Sequence, residues 1–277
     1  MKTIRFRRIP SRQADLACEV GGEGPVVVFL HAGVADRRMW HPQLESLCAS
    51  HRVVAYDRRG FGETLPVDES FSQVGDLLAV LDHLDIPQAA LVGCSQGGRI
   101  AIDFALAHPD RVRTLVLVSP AISGAPPPSS LPRAIQVLQS WLEASEKTGD
   151  LEQVNAIEAH LWLDGPLSPE GRVAGMARQL FLDMNGRALR AEQLGQEIEP
   201  APAYPHLRQI SQPTLVISGL LDWPHIRERC EHLAHTLPNA QLYPVPDAAH
   251  LPSLEHPQWF NALLKGFLAS LDSLPDQ

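Results

Sequence analysis

Three side chains in this sequence have the types and the chain order needed for acyl transfer. Ser95 lies within Gly93-Cys94-Ser95-Gln96-Gly97, a G-x-S-x-G pattern. Glycine and serine are common enough that a chain of 277 residues meets this pattern by accident roughly one time in ten, so its context decides. An apolar, strand-like run from Ala89 to Val92 precedes it, and a helix-like Arg99-Ile100-Ala101-Ile102 follows it. So sharp a strand-to-helix turn forces the serine into a strained conformation with its hydroxyl exposed, and the flanking glycines remove side chains that would collide. The amide of Gln96 then sits at a helix start, where unpaired N–H groups can meet a developing oxyanion.

A serine hydroxyl is a poor nucleophile until a base takes its proton, and a histidine base needs an acid to fix its tautomer. Asp222 comes just past the apolar run Leu215-Val216-Ile217, and His250 follows Pro246-Asp247-Ala248-Ala249 after another strand-like stretch. Rivals exist among 12 histidines. His225 opens a helix, His256 precedes Pro257, and Asp247 lies between a strand and His250, so each reads as a surface or capping residue. His232 and His235 are three apart, but no His-Glu-x-x-His and no third ligand stands in register, so no metal is expected. Gly21 to Gly24 precedes a strand, with neither Gly-x-Gly-x-x-Gly nor a Gly-Lys-Ser/Thr ending, so no phosphate loop and no cofactor are expected.

The elements that must position these residues follow from apolar patterning. Thr3 to Ile9 and Leu16 to Val20 read as short strands before the turn Gly21-Gly22-Glu23-Gly24-Pro25, which suits an antiparallel start. The uninterrupted runs Val26–Leu30, Val53–Ala55, Ala89–Val92, Leu115–Val118 and Leu215–Ile217 are those of strands buried on both faces. Helical spacing at Val74, Leu77, Leu78, Leu81 and Leu84, and at Ile100, Phe104 and Ala107, gives the alternation of an α/β fold with a mostly parallel sheet. Leu242-Tyr243-Pro244-Val245 reads as an edge strand, because its proline cannot donate to a ladder on both sides. The alternation lapses after Ile122, where Pro126, Pro127 and Pro128 form a stiff hinge, and resumes at Thr214. The expected organisation is a core in two parts, residues 1–121 and 213–277, with a helical cap over 122–212 inserted between them. Leu161, Met176 and Met184, with the candidate substrate-binding residues Trp141, Trp162 and Phe181, are the candidates for the inner surface of that insert.

With these motifs in place, the chain resembles the α/β-hydrolase superfamily, in particular its esterase, lactonase and C–C hydrolase branch. The resemblance spans nearly the whole length and rests on His31-Ala32-Gly33 after the first buried strand, Asp57-Arg58-Arg59-Gly60-Phe61-Gly62 after the second, the Ser95 turn, Gly219 to Asp222, and His250. The order Ser, Asp, His is the one this fold uses. The resemblance implies an oxyanion hole made by the amides of Gln96 and Gly33, with Val34 the alternative because Ala32 stands where glycine is usual. It implies structural roles for His31 and Asp57 beneath the site; Val34 and Leu251 are further candidates for substrate contact. Position 95 being serine disfavours the aspartate nucleophile of related dehalogenases and epoxide hydrolases. The His-Gly-Gly-Pro-Gly turn of proline iminopeptidases is absent at His31-Ala32-Gly33-Val34-Ala35.

Composition narrows the partners. Lysine plus arginine number 23 against 32 acids, and the net charge of −9 opposes attraction to nucleic acid or anionic lipid. No apolar run approaches the roughly eighteen residues of a membrane helix, and Ile9-Pro10-Ser11-Arg12 stands where a signal peptide would be apolar, so a cytoplasmic location is the expectation. Cys18, Cys48, Cys94 and Cys230 are scattered without a Cys-x-x-Cys pair and read as reduced thiols, Cys94 pointing into the core. The expected activity is hydrolysis of a small to medium, largely apolar carboxylic ester or lactone by Ser95, His250 and Asp222 through an acyl-enzyme. The alternatives are C–C bond hydrolysis or perhydrolase and haloperoxidase-like chemistry on the same fold, or a slow-turnover receptor for a small molecule.

Overall fold

The computed structural model describes residues 3–192 and 194–272. In chain order the strands are β1 (Arg5–Ser11), β2 (Ala14–Gly21), β3 (Val26–Leu30), β4 (Arg52–Tyr56), β5 (Ser70–Phe71), β6 (Ala89–Cys94), β7 (Val112–Val118), β8 (Gln196–Glu197), β9 (Thr214–Gly219) and β10 (Ala240–Val245). The helices are α1 (His41–Leu47), α2 (Gln73–His83), α3 (Gln96–Ala107), α4 (Arg133–Thr148), α5 (Leu151–Glu158), α6 (Gly175–Arg190), α7 (Pro224–Thr236), α8 (Pro252–Glu255) and α9 (Pro257–Asp272). Eight strands form one sheet in the order β1-β2-β4-β3-β6-β7-β9-β10. β2 is antiparallel to both its neighbours, and from β4 to β10 every pairing is parallel. The expected strands and the two expected helices are all present, and β10 with its Pro244 lies at the sheet edge.

The uninterrupted apolar runs are needed because successive residues of each inner strand serve opposite cores. Val28 and Leu30 of β3, Val54 and Tyr56 of β4, Leu91 of β6, Leu115 and Leu117 of β7, and Val216 of β9 face one core, which takes side chains from α2, α3, α4 and α7. Their alternates, including Val27, Phe29, Val53, Val92, Val116 and Ile217, face the other, filled by α1, α6 and α9. Local signals fix several starts: Ser72 Oγ accepts from the Gly75 amide at 2.9 Å to cap α2, and Asp150 accepts from the Gln153 amide at 3.1 Å to cap α5.

Between β7 and β9 the chain forms α4, α5, a π-helical turn over Ala159–Asp164, and α6. One feature of this stretch had no sequence signal: β8 pairs in parallel with β5, through Ser70↔Gln196 and Phe71↔Glu197, as a two-stranded ladder apart from the main sheet. All four cysteines are free and buried.

Where β6 turns into α3, helix and strands are nearly in backbone contact. A Cβ on Gly97 would strike the Leu30 and His31 carbonyl oxygens, the second at 2.9 Å; on Gly93 it would lie 2.7 Å from the Gly98 nitrogen; on Gly98 it would lie 2.6 Å from Pro120 Cβ. Gly266 in α9, by contrast, has nothing within 4 Å of the same position. Gly266→Ala should therefore stabilise the protein by about 0.5–1 kcal/mol through helix propensity. Gly97→Ala, although it too lies in a helix, should destabilise by ~1–3 kcal/mol or more through overpacking against backbone. Urea midpoints of the two variants test this; a stabilised Gly97→Ala would contradict the packing described.

Candidate active site

Ser95 is the single residue between β6 and α3, and its backbone has φ 52° and ψ −112°. A non-glycine residue there carries strain of about 1–3 kcal/mol that its surroundings must support. They do so on both sides. The Ser95 amide donates to Val118 O at 2.9 Å, and its carbonyl accepts from Arg99 N and Ala121 N, both at 3.0 Å. The turn is thereby tied to the end of β7 and to the first turn of α3, leaving the serine partly exposed.

β9 and β10 are parallel neighbours, so their C-terminal loops emerge side by side. Leu220 N donates to Val245 O at 2.8 Å and Leu221 N to Ala248 O at 3.0 Å, stitching the two loops together. A Cβ on Gly219 would lie 2.6 Å from the Ala248 oxygen, so the approach requires glycine. This brings Asp222 Oδ2 to 2.7 Å from His250 Nδ1, with both side chains 1% exposed. Asp222 Oδ1 accepts from the Trp223 amide at 2.7 Å. With both its oxygens engaged, the carboxylate selects the tautomer in which Nδ1 carries the proton and Nε2 is left as a base. Asp247, by contrast, has a side chain 76% exposed and lies 3.7 Å from His256 Nε2. The histidine loop also abuts the serine turn: Cys94 Sγ lies 3.6 Å from the His250 carbonyl oxygen. That thiol is enclosed, and burial pushes its pKa well above the usual thiol range. Among the described residues neither Ser95 Oγ nor His250 Nε2 has a hydrogen-bond partner; such bonds often tighten only when substrate binds.

The loop after β3 faces the same turn. Burial holds the His31 pKa well below its ordinary value, so the ring is neutral. Its Nε2 accepts from Arg58 N at 3.0 Å, and Nδ1–H donates to Ala32 O at 2.8 Å. Arg58 Nη2 donates to the same oxygen at 3.1 Å. Because the peptide is trans, fixing the Ala32 carbonyl directs the Gly33 N–H the opposite way. Gly33 is next to Gln96: a Cβ on it would lie 3.3 Å from Gln96 Cγ. The N–H groups of Gly33, Val34 and Gln96 meet no acceptor among the described residues, the last being an orphan of the first turn of α3. Asp57 braces this loop from below, accepting from Arg37 N at 2.7 Å and Glu63 N at 2.8 Å and pairing with the Arg37 guanidinium. Its carboxyl is raised to about 6, since burial outweighs the nearby arginine.

The helical segment contributes Trp162, from the π-helical turn. Its ring centroid is 4.7 Å from that of His250 and 5.1 Å from that of Trp223. Trp162 and Val34 are partly accessible. Phe181 and Leu251 have no accessible surface at all, so no cavity wide enough for water touches them; they are packing residues of the second core and line no open pocket here. Trp141 and Met176 do not form part of an inner surface: they are 59% and 86% exposed. Ile135, Leu138 and Leu142 are the residues of α4 that face the core, and Trp141 is about 90° around the helix from that stripe. Met176 stands about as far from the Ala177, Leu180, Phe181 and Met184 stripe of α6. Sequence reasoning missed Trp223 beside Asp222 and Glu255 beside His250. The only available signal for Glu255 was a carboxylate directly after the mostly apolar Leu251-Pro252-Ser253-Leu254 stretch.

Residues 25–257 match the family model described as alpha/beta hydrolase fold. The 3-oxoadipate enol-lactonase 1 of Acinetobacter baylyi is 28% identical over 98% of this chain and 100% of its own length. The 2-hydroxymuconate semialdehyde hydrolase of Pseudomonas sp. strain CF600 is 30% identical over 91% of this chain and 89% of its own. Among solved structures, an esterase from Rhodococcus sp. ECU1013 superimposes with a TM-score of 0.76 at 25% identity, covering 97% of this chain and 99% of that one. Strand order, matched span and relatives agree, and the chain belongs to the α/β-hydrolase fold family.

Proposed function

We propose that this protein hydrolyses a small to medium, largely apolar carboxylic ester or lactone through a Ser95-His250-Asp222 triad. The observation that carries the reading is the enclosed 2.7 Å contact between Asp222 and His250, on loops that abut the strained Ser95 turn. His250 Nε2 takes the Ser95 proton as Oγ attacks the acyl carbon. The carbonyl oxygen becomes an oxyanion, held by the Gln96 and Gly33 N–H groups. Collapse breaks the acyl C–O bond while His250 returns the proton to the leaving oxygen, which stays tethered when the substrate is a lactone. Water, deprotonated by the same imidazole, then releases the acid from Ser95. The indole of Trp162, the Val34 side chain and the residues of the segment 122–212, read as a cap, supply an apolar surround. The net charge of −9 favours neutral substrates.

The relative named as an enol-lactonase supports the lactone side of this reading, and the Rhodococcus esterase the ester side. The relative named 2-hydroxymuconate semialdehyde hydrolase favours a second reading, C–C bond hydrolysis with the same residues. Product analysis with a vinylogous diketone, beside an acyl-chain-length ester series and a lactone panel, separates the two.

Ser95→Ala should lower kcat on the best ester or lactone by at least ~10⁴-fold with the fold intact. Full turnover by the purified variant would end the assignment. Asp222→Asn should lower kcat by about 10⁴-fold, because the imidazole then loses its tautomer partner. Asp247→Asn, at an exposed carboxylate, should change kcat by less than about twofold in the same assay, since surface substitutions rarely matter. The reverse pattern would move the acid to Asp247.

A further inference from the structure

Beside His250 lies a second enclosed carboxylate that the chemistry above does not use. Glu255 ends the four-residue α8, and the turn closed by its amide on Leu251 O at 3.0 Å folds its side chain back onto the histidine loop. The side chain is 1% exposed. Its Oε1 accepts from Ala249 N at 3.0 Å and from Leu251 N at 3.3 Å, and Oε2 also reaches Ala249 N at 3.1 Å. Those are the N–H groups of the residues on either side of His250. One carboxylate therefore grips the backbone on both sides of the imidazole.

The carboxylate is itself held from the helical segment by the Arg172 guanidinium. Arg172 Nε donates to Asp164 O at 2.6 Å, Nη2 to Leu163 O at 2.9 Å, and Nη1 to Asp247 O at 2.9 Å. A single side chain so joins the π-helical turn that carries Trp162, the histidine loop, and Glu255. Its own loop is fixed by the enclosed Asp164, which accepts from Gly171 N at 2.8 Å, Val173 N at 2.9 Å and Arg178 Nη1 at 2.7 Å. Burial drives the Glu255 carboxyl upward and Arg172 with the two amides opposes it. An enclosed ion pair gives little net stability compared with apolar residues of the same volume, so its geometry is the more informative property.

We propose that Glu255 is a positioning residue for His250, and that Arg172 couples its carboxylate to the helical segment. The proposal rests on the hydrolase reading above. The Glu255 clamp fixes the backbone from which the imidazole hangs, Asp222 fixes the ring through Nδ1, and Trp162 packs beside it at a tilt of 50°. Loss of the clamp lets Nε2 drift from Ser95 Oγ, and a displacement near 1 Å is worth up to about 10²-fold in rate.

Glu255→Ala, Glu255→Gln and Arg172→Lys test this in the full-length protein, with kcat, KM, thermal midpoint and the rate of Ser95 labelling by a fluorophosphonate. Glu255→Ala should lower kcat by ~10–100-fold with KM changed less than about twofold, and labelling should slow by the same factor. Glu255→Gln keeps an oxygen for both amides while losing the charge, so its kcat should recover to within about threefold of wild type although its thermal midpoint falls. Arg172→Lys should behave as Glu255→Gln does. Unchanged kcat in Glu255→Ala, or equal losses in the Ala and Gln variants, overturns the clamp. A second readout needs no substrate: the Nδ1 proton of His250, followed by NMR, should remain sharp in wild type and Glu255→Gln and broaden in Glu255→Ala. A sharp Nδ1 resonance in Glu255→Ala overturns the clamp as well. Wild type that neither turns over esters nor labels at Ser95 refutes the hydrolase reading instead, a result distinct from either failure of the clamp.

Discussion

A serine held at φ 52° between a strand and a helix is the constraint on which the rest of this structure depends. The strained turn leaves no room for side chains where it crosses its neighbours. Hence glycine at 93, 97 and 98, and hence the fit of α3 against the Leu30 and His31 carbonyls at the end of β3. The same contact brings the loop after β3 to the first turn of α3. Gly33 and Gln96 therefore stand side by side because the serine turn is sharp, and a wider turn would separate the two amides. The hydrogen bonds that support Ser95 from β7 and α3 also fix the start of α3 and with it the unpaired Gln96 N–H, while His31 and Arg58 fix the Gly33 N–H through the Ala32 carbonyl.

The parallel sheet does the remaining assembly. Its inner strands all end on the same side, so residues far apart in sequence meet without long excursions. Asp222 and His250 are 28 residues apart, and they meet because β9 and β10 are adjacent and their exit loops share hydrogen bonds. Charge is handled in layers beneath this meeting point. Neutral His31 and the Asp57–Arg37 pair satisfy the polar groups of the loops below, and the Glu255–Arg172 pair does the same for the histidine loop. His31, Asp57, Glu255 and Arg172 each bond to backbone amides or carbonyls, so each one fixes a stretch of main chain.

That difference explains how much of the molecule was legible in its sequence. Strands buried on both faces announce themselves as unbroken apolar runs, and Val26–Leu30 or Leu115–Val118 could hardly be anything else. Ser95 and Asp222 stood out because each follows such a run, and His250 because it comes shortly after the edge strand β10. Nothing comparable marks β8, two polar residues whose only distinction is a partner 126 positions earlier at Ser70. Glu255 and Arg172 were hard to read for another reason. Apart from each other, their partners are main-chain groups, which every residue carries and no pattern of side chains marks. Trp141 and Met176 show a third limit. Apolar residues at helical spacing identify an amphipathic helix, but a residue one position off the buried stripe is turned by about 100° and faces solvent.

The π-helical turn at Ala159–Asp164 follows from the same geometry. An α-helix continuing from α5 would keep presenting the stripe that begins with Val154 and Ile157, and its Trp162 would fall where that periodicity dictates. Widening the turn by one residue per hydrogen bond shifts the register at the point where the segment reaches the core. Leu161 and Leu163 can then enter the two different cores, while Trp162 between them touches both and lies against His250. The chain leaves this turn at Gly165, φ 94°, where a Cβ would lie 3.3 Å from Ala249 Cβ and would strike the Leu221 carbonyl. The π-helical turn and its exit at Gly165 thus set the helical segment against the imidazole and against the loops that carry Asp222 and His250.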